Sequence, residues 1–181
     1  MSVSQNNKSN ILYAFIDAQN LASGVGNSFD YWLAKGKKES YVGWKLDMRK
    51  LINYLRFNHN ITKAILFMGD DPKYTKMRSK FKSFGFEIVL KPHIKDKTGK
   101  VKGNCDAELV LHSCKIEYPN YDQAIIISGD GDFFCLIEDL IIEDKLKCLM
   151  IPNEFRYSSL YKAVPKSNLV FTNRFKNILS H

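Results

Sequence analysis

The stretch IIISGDGDFFCLIEDL, residues 125–140, decides the fold. It begins as a continuous apolar run rich in Ile, which is typical of a strand buried on both faces of a parallel sheet. The turn SGDGD ends this run, and apolar residues then recur at helical spacing from Phe133 to Leu140. A strand, a glycine-containing turn and a helix in direct succession indicate an α/β fold with carboxylates at the end of a strand.

Other segments of the chain have the same strand character, being short, apolar and rich in β-branched or aromatic residues. Strands are predicted at residues 11–17, 63–68, 87–91, 123–128, 147–151 and 169–172. Helical patterns begin at the cap residue Asp47 and at Pro72, and two more cover residues 107–116 and 132–144. Their alternation predicts a single α/β domain with a Rossmann-like parallel sheet flanked by helices on both faces.

The domain is expected to cover residues 10–173, after a flexible N-terminus at 1–9 and before a tail or short helix at 174–181. Two segments inside it lack a helical or strand pattern. Residues 34–45 are polar and contain glycine, and a loop is predicted there. Residues 91–102, KPHIKDKTGKVK, carry five lysines against one acid and predict a basic hairpin or flap, with a solvated surface loop as the alternative.

Composition limits the classes of protein and of partner. The chain has 181 residues, and its 27 Lys and Arg against 19 Asp and Glu leave a net charge of +8. A hydrophobic fraction of 45% excludes a disordered chain, and the positive charge favours anionic partners. No apolar run is long enough to span a bilayer and no secretory signal is evident, so we expect a cytoplasmic protein with no membrane contact.

The four cysteines show no CxxC spacing, which argues against structural zinc. Each lies in an apolar or helical run, and buried, reduced thiols are therefore expected. These residues are Cys105, Cys114, Cys135 and Cys148.

Carboxylates fall where open parallel sheets bind ligands, at the carboxyl ends of strands. Asp17 ends the first predicted strand, Asp130 and Asp132 follow the fourth, and Asp106 begins the helix that precedes the fourth. Each has an ordinary explanation as a helix cap or first-turn acid. Together, two carboxylates 4 Å apart repel by about 4 kcal/mol at an effective dielectric constant of 20. A divalent cation removes that repulsion, and oxygen ligands favour one or two Mg²⁺ or Mn²⁺ ions.

Further polar residues near these strand ends are candidates for substrate binding. Ser128 ends a strand, where its hydroxyl could bind phosphate or the Asp130 loop, and Arg156 follows the fifth strand, where it could contact backbone or base. Ordinary loop exposure is the alternative for Arg156. Asp70 and Asp71 are interpreted as the turn before Pro72, with binding of substrate-side water as the alternative. Four aromatic residues could be core anchors, a dimer face or stacking platforms: Tyr31, Trp32, Tyr41 and Trp44.

Three segments resemble the signature segments of the NYN domain, a PIN-like nuclease family that includes the LabA-like bacterial proteins. They are FIDAQNL at 15–21, KGNCDAELVLH at 102–112 and the SGDGDF-containing segment at 125–140. The resemblance extends over residues 10–172 and implies a PIN-like fold and metal-dependent ribonuclease activity. The segment Ser158–Phe171 resembles the closing motif of the family, but Val164-Pro165 stands there where the family often has an acid.

The resemblance also implies roles for individual residues. Asn20 matches a position that orients an acid or the substrate, and Lys102 matches a recurrent basic position before the second acid. The metal-site and catalytic acids that it implies are Asp17, Asp106, Asp130 and Asp132.

The leading hypothesis is therefore a metal-dependent endoribonuclease that hydrolyses RNA phosphodiester bonds, with single-stranded RNA preferred and DNA not excluded. The alternative is a non-catalytic RNA-binding module that retains the fold, although the presence of all four acids argues against it. A phosphatase of the haloacid dehalogenase kind would need a second Asp two residues after Asp17, and a Toprim domain would need a Glu on the first strand. A homodimer is compatible with the family resemblance.

Overall fold

The computed structural model of the protein describes residues 10–33, 36–92, 94–95, 101–102 and 105–181. Its strands, in chain order, are β1 (Leu12–Asp17), β2 (Phe29–Trp32), β3 (Lys38–Tyr41), β4 (Lys63–Asp70), β5 (Glu87–Pro92), β6 (Ile94–Lys95), β7 (Val101–Lys102), β8 (Gln123–Ile127), β9 (Leu146–Ile151) and β10 (Leu169–Phe171). Its α-helices are α1 (Ala18–Gly26), α2 (Met48–His59), α3 (Thr75–Phe84), α4 (Asp106–Leu111), α5 (Phe134–Ile142) and α6 (Lys176–Leu179).

Six strands form one parallel sheet in the order β10-β9-β8-β1-β4-β5. Side chains of β1 alternate between two apolar cores, because successive residues of a strand point to opposite faces. Ile16 packs in the core that contains Leu21 of α1 and Leu51 of α2. Phe15 packs in the other core, with Leu109 of α4 and residues of α5. The predicted α/β fold, with helices on both faces of a parallel sheet, is confirmed.

The predicted elements of this sheet are present with small shifts at their ends. All six predicted strands form, and Asp47 caps α2 by accepting hydrogen bonds from the backbone of Arg49 and Lys50. The helix predicted at Pro72 begins as a 3₁₀ turn, Pro72–Tyr74, which leads into α3. The helix predicted over 107–116 is α4 followed by a π-helical turn, His112–Ile116.

The loop predicted over residues 34–45 is wrong in part, since β2 and β3 form an antiparallel hairpin in which Phe29 pairs with Tyr41. Tyr41 is buried, and its hydroxyl is satisfied there because it donates to the Val25 carbonyl oxygen and accepts from Trp44 Nε1. Tyr41 and Trp44 are therefore core anchors, whereas the Trp32 side chain is 70% exposed. The alternation of aromatic and polar residues from Phe29 to Tyr31 is the short strand signal in the sequence.

The basic segment forms the predicted hairpin at the level of its backbone. β6 and β7 are antiparallel, with Ile94 opposite Lys102. Residues 93, 96–100 and 103–104 lie outside the described part of the chain, as do residues 1–9.

The expectation that all four cysteines are buried holds for Cys148 and is wrong for Cys135, while Cys105 and Cys114 are half-buried. Cys135 lies on the exposed side of α5, whereas Cys148 is buried in the sheet. Within the described residues, no helix combines the length and the apolar character needed to cross a bilayer.

Candidate metal centre

The carboxyl ends of β1 and β8 bring the first acid beside the SGDGD turn. These strands are parallel neighbours with Ile16 opposite Ile127, so Asp17 and Ser128 follow side by side. Asp17 is also the N-cap of α1, because its Oδ1 accepts a hydrogen bond from the Asn20 backbone N–H at 2.9 Å. The interpretation of Asp17 as a helix cap is thus correct. The cap uses only Oδ1, so the other carboxylate oxygen, Oδ2, is available for a different contact.

The Ser128 hydroxyl links two of the predicted acids. Ser128 is fully buried, and its Oγ donates a long hydrogen bond of 3.4 Å to Asp17 Oδ2. The same Oγ accepts from the Asp130 backbone N–H at 3.2 Å. Asp130 Oδ1 in turn accepts from the Asp132 backbone N–H at 3.1 Å. Ser128 therefore positions the turn that carries Asp130 and Asp132 relative to the end of β1.

Three carboxylates converge in front of this turn. Asp106, Asp130 and Asp132 each offer one oxygen, and these oxygens lie within 4.8 Å of one another. Asp106 reaches them from the first position of α4, which packs on β1 through Leu109 in the core that contains Phe15. Asp106 and Asp130 are half-buried and Asp132 is exposed, so the group is open to solvent on one side.

Asp17 completes the acidic set electrostatically. The pKa of Asp17 is raised from 3.8 to about 6, chiefly by burial and in part by the charges of Asp106 and Asp130, against the opposing hydrogen bonds from the backbone N–H groups of Asn20 and Gln19. The carboxylate oxygen of Asp17 thus lies in a negative, partly desolvated environment. A cation among these acids would favour the ionised form of all four.

Asn20 holds the other side of the turn, because its Oδ1 accepts from the Gly129 backbone N–H at 2.8 Å. Glycine is needed at Gly131, since a Cβ there would collide with the Ser158 hydroxyl. The Tyr161 hydroxyl donates to the Asp130 carbonyl oxygen from a fully buried ring.

Sequence reasoning missed Ser158 and Tyr161, which support the turn that carries Asp130 and Asp132. Ser158 caps the 3₁₀ turn Ser159–Ala163 that presents Tyr161, and this cap is the signal that could have located the element.

Of the two remaining predicted site residues, Arg156 lies beside the acids, and the structure does not describe the side chain of Lys102. Arg156 lines a cleft with Asn20, Asp130 and Asp132, and its guanidinium lies 5.4 Å from the centre of the Phe29 ring. Lys102 is at the end of β7, and its side chain lies outside what the structure describes.

The predicted turn before Pro72 forms with Asp71 alone, which accepts from the Lys73 N–H. Asp70 is instead the last residue of β4 and makes a 2.6 Å ion pair with Arg78.

An aromatic stack borders the Arg156 side of the cleft. The Tyr31 and Phe155 rings are nearly parallel, at an angle of 17° and with 4.3 Å between their centres. Phe29 stacks on Tyr41 beneath them, with 5.2 Å between ring centres. Tyr31 is therefore anchored to the segment after β9 and holds the β2–β3 hairpin near the cleft.

The donor set fits a hard divalent cation. Carboxylate oxygens are the preferred ligands of Mg²⁺ and Mn²⁺. Cys105, which precedes Asp106, offers no competing thiolate at neutral pH because burial and the nearby acidic charges raise its pKa to about 11. Four carboxylates could hold one or two such ions, with three of them converging on a common point.

A parallel α/β sheet with acids at its carboxyl edge is the architecture of a PIN-like domain. The family model of the NYN domain matches residues 12–166, and the chain belongs to this family. A solved protein of unknown function from Vibrio parahaemolyticus is similar, at 23% sequence identity and a TM-score of 0.63. The match covers 92% of this chain and 95% of that one, and it shows a shared fold. No curated protein matches the chain in sequence.

Proposed function

We propose that the protein is a metal-dependent endoribonuclease. Membership in the NYN family indicates a nuclease-like, RNA-related function. The observation that carries the finer assignment is the convergence of Asp106, Asp130 and Asp132 on one point beside the partly desolvated Asp17. A group of acids with this mutual repulsion is a costly arrangement for the fold alone, and it is the arrangement that a metal-dependent phosphodiesterase needs.

The protein's own residues fall into two roles in this proposal. Asp106, Asp130 and Asp132, with Asp17 behind them, would hold Mg²⁺ or Mn²⁺. Such an ion supplies a water of lowered pKa and stabilises charge on the leaving oxygen. Ser128, which donates to the Asp17 carboxylate and accepts from the Asp130 backbone N–H, would hold the end of β1 and the Asp130 turn together when the ion is absent.

Substrate contacts come from the rim of the cleft. Arg156 and Asn20 line the cleft beside Asp130, where the guanidinium would contact a phosphate next to the scissile bond. Lys102, on β7, is proposed as a further phosphate contact on the strength of the basic family position that it matches. The net charge of +8 suits a polyanion, and contacts to unpaired bases favour single-stranded RNA.

The test is cleavage of a labelled single-stranded RNA by the purified protein with Mn²⁺, with Mg²⁺ and with EDTA. Asp106→Asn and Asp130→Asn should each lower the rate on the order of 100-fold or more. Asp70→Asn is the matched control, because Asp70 ends the neighbouring strand and pairs with Arg78 at the surface. Its rate should equal that of the unsubstituted protein.

The outcomes separate the proposal from its alternative. RNA binding that persists in EDTA, with no product under either metal, would identify a non-catalytic RNA-binding module. Equal cleavage by the unsubstituted protein and by Asp130→Asn would refute the assignment of the acids. A DNA strand of the same sequence, assayed in parallel, measures whether the site depends on the 2′-hydroxyl.

A further inference from the structure

A groove leads from the acids across the end of β4 to α3. Asp17, Asp106 and Asp130 line one end of it. Its volume of about 1520 Å³ exceeds the roughly 300–1,000 Å³ of typical small-molecule sites. The apolar side chains that line the far end are Met48, Met68, Tyr74, Met77 and Phe81. The groove therefore has room for more than the reacting phosphate. Its far end is apolar, in contrast to the acidic end.

The side chains that line the far end of the groove suit flat aromatic groups of differing shape, such as nucleic-acid bases. Three methionines are unbranched and polarizable, so they adapt to partners of different shape. Tyr74 is 40% exposed, and the Lys73 ammonium lies 4.7 Å from its ring centre. Bases stack on aromatic rings with little sequence preference. An exposed Tyr beside methionines is thus a surface on which unpaired bases can pack.

The rim of the groove carries positive charge. Lys45 and Lys73 line it. The helix α3, whose Met77 and Phe81 line the groove, also carries three exposed lysines outside the lining, Lys76, Lys80 and Lys82. Within the described residues these three lysines have no ion-pair partner, although Lys73 pairs with Asp71. Lysines without acidic partners around an apolar floor are complementary to a strand with a charged backbone and apolar bases.

We propose that this groove binds unpaired nucleotides on one side of the scissile phosphate. The bases pack over Tyr74 and the methionines, and the phosphates follow the lysines of α3. This inference rests on the proposed function, because the acids fix where the strand enters the groove. A duplex cannot use the groove in this way, since its bases are already paired and stacked. The groove thereby selects single-stranded substrates.

Binding without cleavage tests the groove directly. The host is Asp130→Asn in EDTA, which lowers the repulsion of phosphate, and the readout is the fluorescence anisotropy of a labelled single-stranded RNA. Tyr74→Ala should raise Kd at least about fivefold. Phe57→Ala, which removes an 85% exposed ring from the distant half of α2, should leave Kd unchanged.

Charge is tested with a second pair of variants. Lys76→Glu should lower the slope of log Kd against log salt concentration by about 0.7 for each phosphate that the variant no longer binds. Lys147→Glu is its control, because Lys147 is exposed near the amino end of β9, whereas the groove lies at the carboxyl end of β4. Binding of a blunt duplex should not respond to Tyr74→Ala.

Photochemical cross-linking locates the strand. An RNA with 5-iodouridine should cross-link to the peptide that contains Tyr74, as identified by mass spectrometry. Unchanged Kd for Tyr74→Ala, or cross-links only to other surfaces, would overturn the groove assignment and leave the groove to another class of ligand.

The two proposals fail separately. If the unsubstituted protein cleaves RNA with Mn²⁺ but the groove variants bind like their controls, the groove is wrong and the nuclease stands. If the variants lose binding but no metal supports cleavage, the nuclease is wrong and the groove stands.

Discussion

Replacing Asp17 with Asn is expected to stabilise the metal-free protein at neutral pH. The Asp17 carboxylate is largely desolvated and lies in the field of Asp106 and Asp130, both of which raise its pKa. Asn removes the charge but retains an oxygen that can accept from the Asn20 N–H and cap α1. The substitution thus removes a repulsion that a cation at this site would relieve, and it preserves the local fold.

The size of the effect follows from the pKa of Asp17. The rise from 3.8 to about 6 corresponds to about 3 kcal/mol, at about 1.4 kcal/mol for each pKa unit. Between these two values the folded state binds more protons than the unfolded state, so the free energy of unfolding falls as the pH rises. The penalty is complete above about pH 6 and absent well below about pH 4. Asp17→Asn should therefore gain about 3 kcal/mol near pH 7.5 and about 1 kcal/mol near pH 4.5.

The assay is urea unfolding in EDTA at these two pH values. Asp139→Asn is the control, and it should leave the free energy of unfolding nearly unchanged at both pH values, because Asp139 is exposed on α5 and surface substitutions have small effects. A variant at Asp17 that is less stable than the unsubstituted protein near pH 7.5 would refute the reasoning. A gain in the free energy of unfolding of Asp17→Asn that is equally large at both pH values would also refute it.

Two further predictions concern the metal and the support of the Asp130 turn. Mn²⁺ at about 100 times its Kd should raise the free energy of unfolding by about 2.7 kcal/mol, and Asp106→Asn should abolish this gain in thermal melts; an undiminished gain in the variant would place the ion elsewhere. Tyr161→Phe removes the donor to the Asp130 carbonyl oxygen, so it should cost about 1 kcal/mol of stability and weaken Mn²⁺ binding by calorimetry. Unaltered Mn²⁺ affinity would show that Tyr161 supports the fold but does not position the site.

The sheet and the acids were predictable from the sequence because each depends on a local pattern. Continuous apolar runs indicate buried parallel strands, and the carboxyl ends of such strands share one edge, which places Asp17 near Asp130. The β2–β3 hairpin escaped prediction because each of its strands has only four residues and one polar face.

Other parts of the site depend on contacts between distant segments. Tyr161 reaches Asp130 across 31 positions, and no periodicity in the sequence encodes that hydrogen bond. The groove is likewise assembled from single methionines of three segments, Met48, Met68 and Met77, which look like ordinary core residues until the fold brings them together.

The most direct test of the central claim is anomalous diffraction from crystals of the protein soaked in Mn²⁺. The account predicts a strong anomalous peak within coordination distance of the carboxylate oxygens of Asp106, Asp130 and Asp132. Full density for these side chains with no anomalous peak among them, at a Mn²⁺ concentration that stabilises the protein, would contradict it.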